Sequence, residues 1–151
     1  MSLKNAQLDT AVIISANPHN LERDKTALAK FKVGMVLAFS SGNAALDFVE
    51  HNKANIVLLD SELDDMVPLD FARQFKKIPS CLNVPVVMVT STGDKNSVLD
   101  AISAGCSGYI LRPYNLGTFE RHVLLAIQGD SEPGREEKQL DLANQLVSMG
   151  E

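Results

Sequence analysis

Five short aliphatic runs organise this sequence, and a segment of helical length separates each run from the next. The clearest run, residues 55–60, reads NIVLLD, and residues 85–91 read PVVMVTS. A strand that is apolar on both faces is typical of a parallel sheet covered by helices on both sides. Three further strands are predicted at residues 11–15, 33–39 and 108–111. Strands that alternate with helices in this way indicate βαβ units.

Residues that start or stop helices lie where this alternation requires them. Pro18 and Pro68 occupy first helical positions, and Gly105 can end a helix. Side chains that can cap a helix N-terminus precede the helical segments, namely Asn17, Ser40 or Ser41, Asp94 and Asn115. Five such units predict an α/β fold of the flavodoxin-like, doubly wound type. Its five-stranded parallel sheet would have the order 2-1-3-4-5.

The predicted domain covers residues 1–129, and a linker and an amphipathic C-terminal helix are predicted over residues 130–151. Turn-forming residues at 129–134 suggest the break. After it, Leu140, Ala143 and Val147 recur at helical spacing. This extra helix could pack on the domain, pair two chains into a homodimer, or lead to a neighbouring domain of a longer protein.

Composition excludes several classes of function. The formal net charge of −5 argues against direct binding of nucleic acid and against an anionic membrane surface. No apolar run is long enough for a membrane span, and no secretory signal is seen, so we expect a cytoplasmic protein. Cys81 and Cys106 lack metal-binding spacing and are expected to be reduced thiols. His19, His51 and His122 share no partner and are expected at the surface or at helix ends.

Polar residues follow four of the predicted strands. Ser15 ends the first, Asp60 the third and Thr90 the fourth, and Arg112 follows the fifth. Ligands of such sheets bind beyond the carboxyl ends of the strands, so we expect these side chains around one crevice. A carboxylate, a hydroxyl and a cation together indicate a phosphoryl site, with the carboxylate as nucleophile and the other two groups holding charged oxygens.

From about residue 11 to residue 127 the sequence resembles the receiver domains of bacterial response regulators in two-component signalling. The stretches that carry the resemblance are residues 55–60, 86–90 and 104–113. The resemblance implies a phosphorelay signal-transduction module rather than an enzyme. Its expected partners are a sensor histidine kinase or phosphotransfer protein and an output protein or domain.

The resemblance also implies roles for single residues. Asp60 would be the phosphoacceptor, and Thr90 and Tyr109 would be the switch residues. Arg112 stands where the family usually has lysine, and Pro113 matches a proline that usually follows a cis peptide bond.

The sequence departs from the family at the metal site. Ser15 and Ala16 stand where the family has two adjacent acidic residues that hold magnesium. Without these carboxylates we expect magnesium to bind weakly, with Glu62 as a weak candidate ligand, and we expect no other cofactor. Because arginine can grip a carboxylate with both arms of its fork, we hypothesise that Arg112 pairs with Asp60 or Glu62 and locks one conformation.

Three functions stay open at this point. The favoured one is a degenerate receiver, a pseudo-receiver that signals through the face formed by the fourth helix, fifth strand and fifth helix. The second is an ordinary phosphoprotein receiver in which Asp60 is phosphorylated and Glu62 or Asn17 helps to hold magnesium. The third is a flavodoxin-like binder of a small anion or nucleotide at Arg112. These three elements contain Val98, Ile102, Tyr109 and Phe119, some of which must be core residues.

Overall fold

The computed structural model describes residues 8–129. Within them, strands and helices alternate in the predicted order. The strands are β1 (Leu8–Ile14), β2 (Val33–Phe39), β3 (Ile56–Asp60), β4 (Val86–Thr90) and β5 (Gly108–Leu111). The helices are α1 (Pro18–Ala29), α2 (Gly42–His51), α3 (Pro68–Lys77), α4 (Lys95–Ser103) and α5 (Leu116–Gly129). The linker and helix predicted at 130–151 lie outside the described residues.

All strand pairs in the sheet are parallel, and the strand order is β2-β1-β3-β4-β5. This confirms the predicted flavodoxin-like α/β fold. Every residue of β3 and β4 is buried, as the two apolar runs predicted. One face of the sheet packs against α2, α3 and α4, and the other packs against α1 and α5. The carboxyl ends of β1, β3, β4 and β5 therefore meet along one edge of a rigid layer.

The predicted caps hold the helices that surround this edge. The Asn17 side chain accepts hydrogen bonds from the backbone N–H groups of His19 and Asn20 at the start of α1. Ser41, rather than Ser40, caps α2. Asp94 caps α4, and the Asn115 side chain accepts from the Thr118 N–H at the start of α5. Each cap satisfies N–H groups that a helix leaves without an internal partner, so it fixes where the helix begins.

Gly105 follows the end of α4 with a φ of 104°. This left-handed conformation is one that residues with a side chain rarely adopt, and glycine adopts it readily. It turns the chain from α4 into β5, as the sequence predicted.

The residues predicted for the signalling face are mostly core residues. Val98, Tyr109 and Phe119 are buried, and only Ile102 is partly exposed. Val98 and Tyr109 pack in the core on one face of the sheet, and Phe119 packs in the core on the other. The expectation that some of these residues belong to the core is therefore confirmed for Val98 of α4, Tyr109 of β5 and Phe119 of α5.

The expectation of a surface position holds for His19 and His51 but is wrong for His122. His122 in α5 is 1% exposed, and neither of its ring nitrogens has a hydrogen-bond partner among the described residues. Its helix lies so close to β5 that a Cβ on Gly108 would approach the Ala126 Cβ to 3.1 Å. Burial, with a smaller contribution from the positive charge of Arg121, lowers the pKa of His122 to about 4. In the folded protein this imidazole is therefore neutral at pH values above about 4.

The free energy of unfolding should fall as the pH drops from 6.5 to about 4, because in this range His122 binds a proton in the unfolded chain but not in the folded chain. At one pKa unit per 1.36 kcal/mol, His122 should remove about 2 kcal/mol between pH 7 and pH 4.5. Above pH 6.5 both states are neutral and His122 has no such effect.

Urea unfolding of the wild type and of His122→Leu at these two pH values tests this prediction. The variant should lose less stability on acidification by about that amount, while His51→Leu, at an exposed position, should follow the wild type. Equal losses in His122→Leu and the wild type would contradict it.

Candidate functional site

Asp60, the last residue of β3, is buried at the carboxyl edge of the sheet and accepts four hydrogen bonds. Its Oδ1 accepts from the backbone N–H of Glu62 at 3.2 Å. Its Oδ2 accepts from Ser15 Oγ at 2.6 Å, Asn20 Nδ2 at 2.7 Å and Arg112 Nη2 at 3.3 Å. Both oxygens of the predicted phosphoacceptor are thus engaged by groups of the chain itself.

Ser15 and Ala16 join the end of β1 to the loop that follows β3. The Ser15 hydroxyl lies between Asp60 and the backbone of Asn17, whose N–H donates to Ser15 Oγ at 3.0 Å. The Ala16 N–H donates to the carbonyl oxygen of Glu62 at 2.7 Å. These positions therefore contribute a hydroxyl and a backbone contact to the site, and no carboxylate.

The Glu62 side chain is directed toward the start of α1. Its Oε2 accepts from Asn17 Nδ2 at 3.1 Å and from Asn20 Nδ2 at 2.7 Å. Of the two partners hypothesised for Arg112, Glu62 is therefore not the one observed, because the amides of Asn17 and Asn20 bind its carboxylate instead.

The fork of Arg112 binds a residue that the sequence analysis did not identify. Its Nη1 and Nη2 lie 3.0 and 2.8 Å from the two carboxylate oxygens of Asp24, and Nη2 also contacts Asp60 at 3.3 Å. Asp24 is fully buried in α1, and its Oδ1 accepts a further hydrogen bond from the Tyr114 hydroxyl at 2.7 Å. The hypothesis of an Arg112–Asp60 pair was right about the partner but not about the bidentate grip, which is on Asp24.

The surroundings of Arg112 and Tyr114 raise the pKa values of both side chains. Burial acts to lower the pKa of Arg112, but the hydrogen bond to Asp24 and the charges of Asp24 and Asp60 outweigh it and raise the pKa. Burial and the charge of Asp24 raise the pKa of Tyr114. Arg112 therefore stays a cation and Tyr114 stays a hydrogen-bond donor. The peptide bond between Arg112 and Pro113 is cis.

The predicted switch residues meet at the loop between β4 and α4. Thr90 Oγ1 accepts from the Thr92 N–H at 3.2 Å, and the Tyr109 hydroxyl donates to the Thr92 carbonyl oxygen. Burial, followed by the charge of Asp94, raises the pKa of Tyr109 to about 12. Both side chains line a cavity of about 260 Å³ beside Met88 and Ala101. Within residues 8–129, the observed hydrogen bonds of Thr90 and Tyr109 lead to Thr92 rather than to Asp60.

Magnesium, which the resemblance implies, does not fit the side chains in this arrangement. Magnesium requires oxygen ligands in near-octahedral positions. Here Asp60 Oδ2 faces a hydroxyl, an amide N–H and a guanidinium, and both oxygens of Asp24 are taken by Arg112 and Tyr114. A cation could bind Oδ2 of Asp60 only after some of these donors had been displaced.

Asn20, Asp24 and Tyr114 are the site residues that sequence reasoning missed. Asn20 and Asp24 follow the cap Asn17 by three and seven residues, which places them on one face of α1. That spacing, in the helix that follows β1, was the available signal. Tyr114 carried no comparable signal, because its role depends on where the chain turns after Pro113.

Among residues 8–129, no helix combines the length and the hydropathy that crossing a membrane requires.

Residues 11–124 match the family model of the response regulator receiver domain. The chain is 30% identical over 69 residues to the cyclic di-GMP phosphodiesterase response regulator RpfG of Xanthomonas campestris, covering 46% of this chain and 18% of that protein. It is 28% identical over 91 residues to chemotaxis protein CheY1 of Helicobacter pylori, and the match covers 60% of this chain and 73% of that protein. The chain thus spans less than a fifth of the first relative's length.

Two solved structures with the same fold match a larger part of this chain than these two relatives do. One is the receiver domain of a sensor histidine kinase from Pseudomonas aeruginosa, with a magnesium ion coordinated in its active site cleft. It has a TM-score of 0.70 and 18% identity, over 82% of this chain and 99% of that one. The other is chemotaxis protein CheY4 of Vibrio cholerae, with a TM-score of 0.71 and 15% identity, over 80% and 99%.

The buried pair of Asp24 and Arg112 should contribute strongly to stability, because removal of either partner leaves an incompletely compensated charge in the interior. We expect Asp24→Ala and Arg112→Met each to lower the free energy of unfolding by about 3 kcal/mol. The double variant should lose clearly less than the two single losses combined, with a coupling energy above about 1 kcal/mol.

The matched control is the pair of Asp70 and Arg73 on α3, whose side chains are about half exposed. The same double-mutant cycle there should give a coupling energy of at most about 0.5 kcal/mol. Chemical denaturation measures both cycles. A coupling for the buried pair no larger than that for the surface pair would contradict the prediction.

Proposed function

Because this chain belongs to the response regulator receiver domain family, we propose that it is a degenerate receiver whose aspartate site is closed by its own side chains. Membership makes it a receiver module of two-component signalling. The proposal adds that aspartyl phosphorylation with magnesium is weak or absent and that the module acts through protein–protein contacts.

The observation that carries this proposal is the set of three donors on Asp60 Oδ2. A nucleophilic carboxylate needs a free lone pair directed at phosphorus and positive charge beside the incoming phosphoryl oxygens. Here both carboxylate oxygens accept hydrogen bonds, and the positive charge of Arg112 is already shared between Asp24 and Asp60. The side chain of Asp60 thereby takes part in structural contacts within the chain.

The switch positions keep a role in this proposal. Thr90 and Tyr109 both bind Thr92, so the position of the loop between β4 and α4 depends on them. We infer that a partner that moves this loop shifts Thr90 and Tyr109 together. In this way the module could change shape without chemistry at Asp60.

The partners proposed for the chain are those of its family. They are a sensor histidine kinase or phosphotransfer protein on one side and an output protein or domain on the other. RpfG, whose name combines a response regulator with a phosphodiesterase, extends far beyond the part that this chain matches. We propose that any catalysis resides in the output and not in this domain, that the module is cytoplasmic, and that a homodimer is one of its possible states.

Binding of a small anion or nucleotide finds no support in this geometry. Arg112 is the cation that would attract it, and the carboxylates of Asp24, Asp60 and Glu62 lie around it or around its partners. An anion that entered the crevice beside Asp60 would be repelled by more negative groups than the guanidinium of Arg112 could compensate.

We expect no stable gain of one phosphoryl group when the wild type is incubated with a small phosphodonor and magnesium and its intact mass is measured. Oδ2 of Asp60 would have to lose at least one of its three donors before it could attack, and Arg112 is already bound to Asp24. An ordinary receiver domain serves as the positive control for the reagents, and Asp60→Asn serves as the negative control.

A phosphoryl gain on the wild type that is absent from Asp60→Asn would overturn the proposal and favour the ordinary receiver. Magnesium titration followed by NMR measures the affinity of the site for the metal independently of phosphorylation. Saturation at micromolar magnesium would contradict the proposed weak metal site.

A further inference from the structure

Asn20 occupies the position between two carboxylates. Its Nδ2 lies 2.7 Å from Asp60 Oδ2 and 2.7 Å from Glu62 Oε2. An amide NH₂ has two hydrogens and can serve two acceptors, whereas its oxygen could bond to neither ionised carboxylate. The nitrogen therefore faces the two anions, at the point where a positive ion would gain most from both.

Local structure fixes the amide in this position. Asn20 lies in the first turn of α1, where its backbone N–H donates to the Asn17 side chain at 3.2 Å. Glu62 is held against the same turn through Ala16 and Asn17. Asp60 is buried at the end of β3. The fold therefore fixes the backbone of Asn20 and the buried carboxylate of Asp60, while Glu62 meets the amide from the exposed side of the crevice.

We propose that Asn20 is the specificity-determining residue that excludes divalent cations from this crevice. The inference rests on the proposed function, since it identifies which side chain closes the aspartate site. A neutral amide satisfies both carboxylates and adds no charge. A cation would have to displace that amide and would then meet Arg112, whose Nη2 lies 3.3 Å from the same Asp60 oxygen.

Asn20→Asp should reverse this selectivity. The new carboxylate would face Asp60 and Glu62, and Arg112 could not balance three anions because its fork is bound to Asp24. Like charges at such short range disfavour one another's ionised forms, and a divalent cation relieves the repulsion. Carboxylate oxygens are also the ligands that magnesium prefers.

The test is magnesium titration of the full chain by calorimetry, without any phosphodonor. Asn20→Asp should bind magnesium at least tenfold more tightly than the wild type. Millimolar magnesium should raise its midpoint of thermal unfolding while leaving that of the wild type unchanged. The matched control is Asn83→Asp, which adds the same charge at an exposed position outside the crevice and should behave like the wild type.

The proposal is overturned if Asn20→Asp binds magnesium no more tightly than Asn83→Asp, or if the wild type already binds as tightly as Asn20→Asp. Should Asn20→Asp fail to fold, Asn20→Ser removes the amide without adding charge. It should bind magnesium more tightly than the wild type, and an unchanged affinity would overturn the proposal.

The role of Asn20 and the proposed function can be refuted independently of each other. Phosphorylation of the wild type would defeat the degenerate receiver while leaving a selective effect of Asn20 on metal affinity intact. Unchanged metal affinity in the Asn20 variants, with an unphosphorylated wild type, would defeat only the role of Asn20.

Discussion

The crevice depends on one guanidinium that lies between two buried carboxylates. Arg112 grips Asp24 with both arms and touches Asp60 with one of them, so it connects α1, the end of β3 and the chain after β5. A buried carboxylate without a partner is costly, and a bidentate arginine is among the strongest partners available to it. Because Arg112 binds Asp24 with both arms, Asp60 receives only part of the positive charge of Arg112. The neutral side chains of Ser15 and Asn20 donate the other hydrogen bonds to Asp60 Oδ2.

The fold could be predicted because its signals are local and mutually consistent. The run NIVLLD differs from β3 by one residue, and the side chains of Asn17, Asp94 and Asn115 cap the helices they were predicted to start. The beginning of β1 was missed, because Leu8 pairs with Val33 outside the apolar run. Asp9 and Thr10 separate the buried Leu8 from that run, and backbone hydrogen bonds between strands do not require apolar side chains, so a hydrophobic pattern misses this part of the strand.

The site could be predicted only as far as the topology determines it. In a parallel sheet of this order, residues at the strand ends must share an edge, which brought Ser15, Asp60 and Arg112 together. Which carboxylate the arginine grips depends on how α1 is rotated on the sheet, and that rotation is a matter of packing. The same limit explains His122: one polar residue in an amphipathic helix does not reveal whether its side chain faces the sheet or the solvent.

A site closed by attached side chains differs in kind from one closed by a bound ion. An ion can leave, return and respond to a ligand, whereas the amide of Asn20 and the guanidinium of Arg112 remain at a fixed effective concentration beside Asp60. Within the proposed function, the crevice then holds one electrostatic state at all magnesium concentrations. Any signal has to enter through an element that can still move relative to it. We propose the loop between β4 and α4 as that element, because its exposed residue Thr92 is hydrogen-bonded to Thr90 and Tyr109. A partner that binds there would contact the two switch residues through Thr92 without entering the crevice.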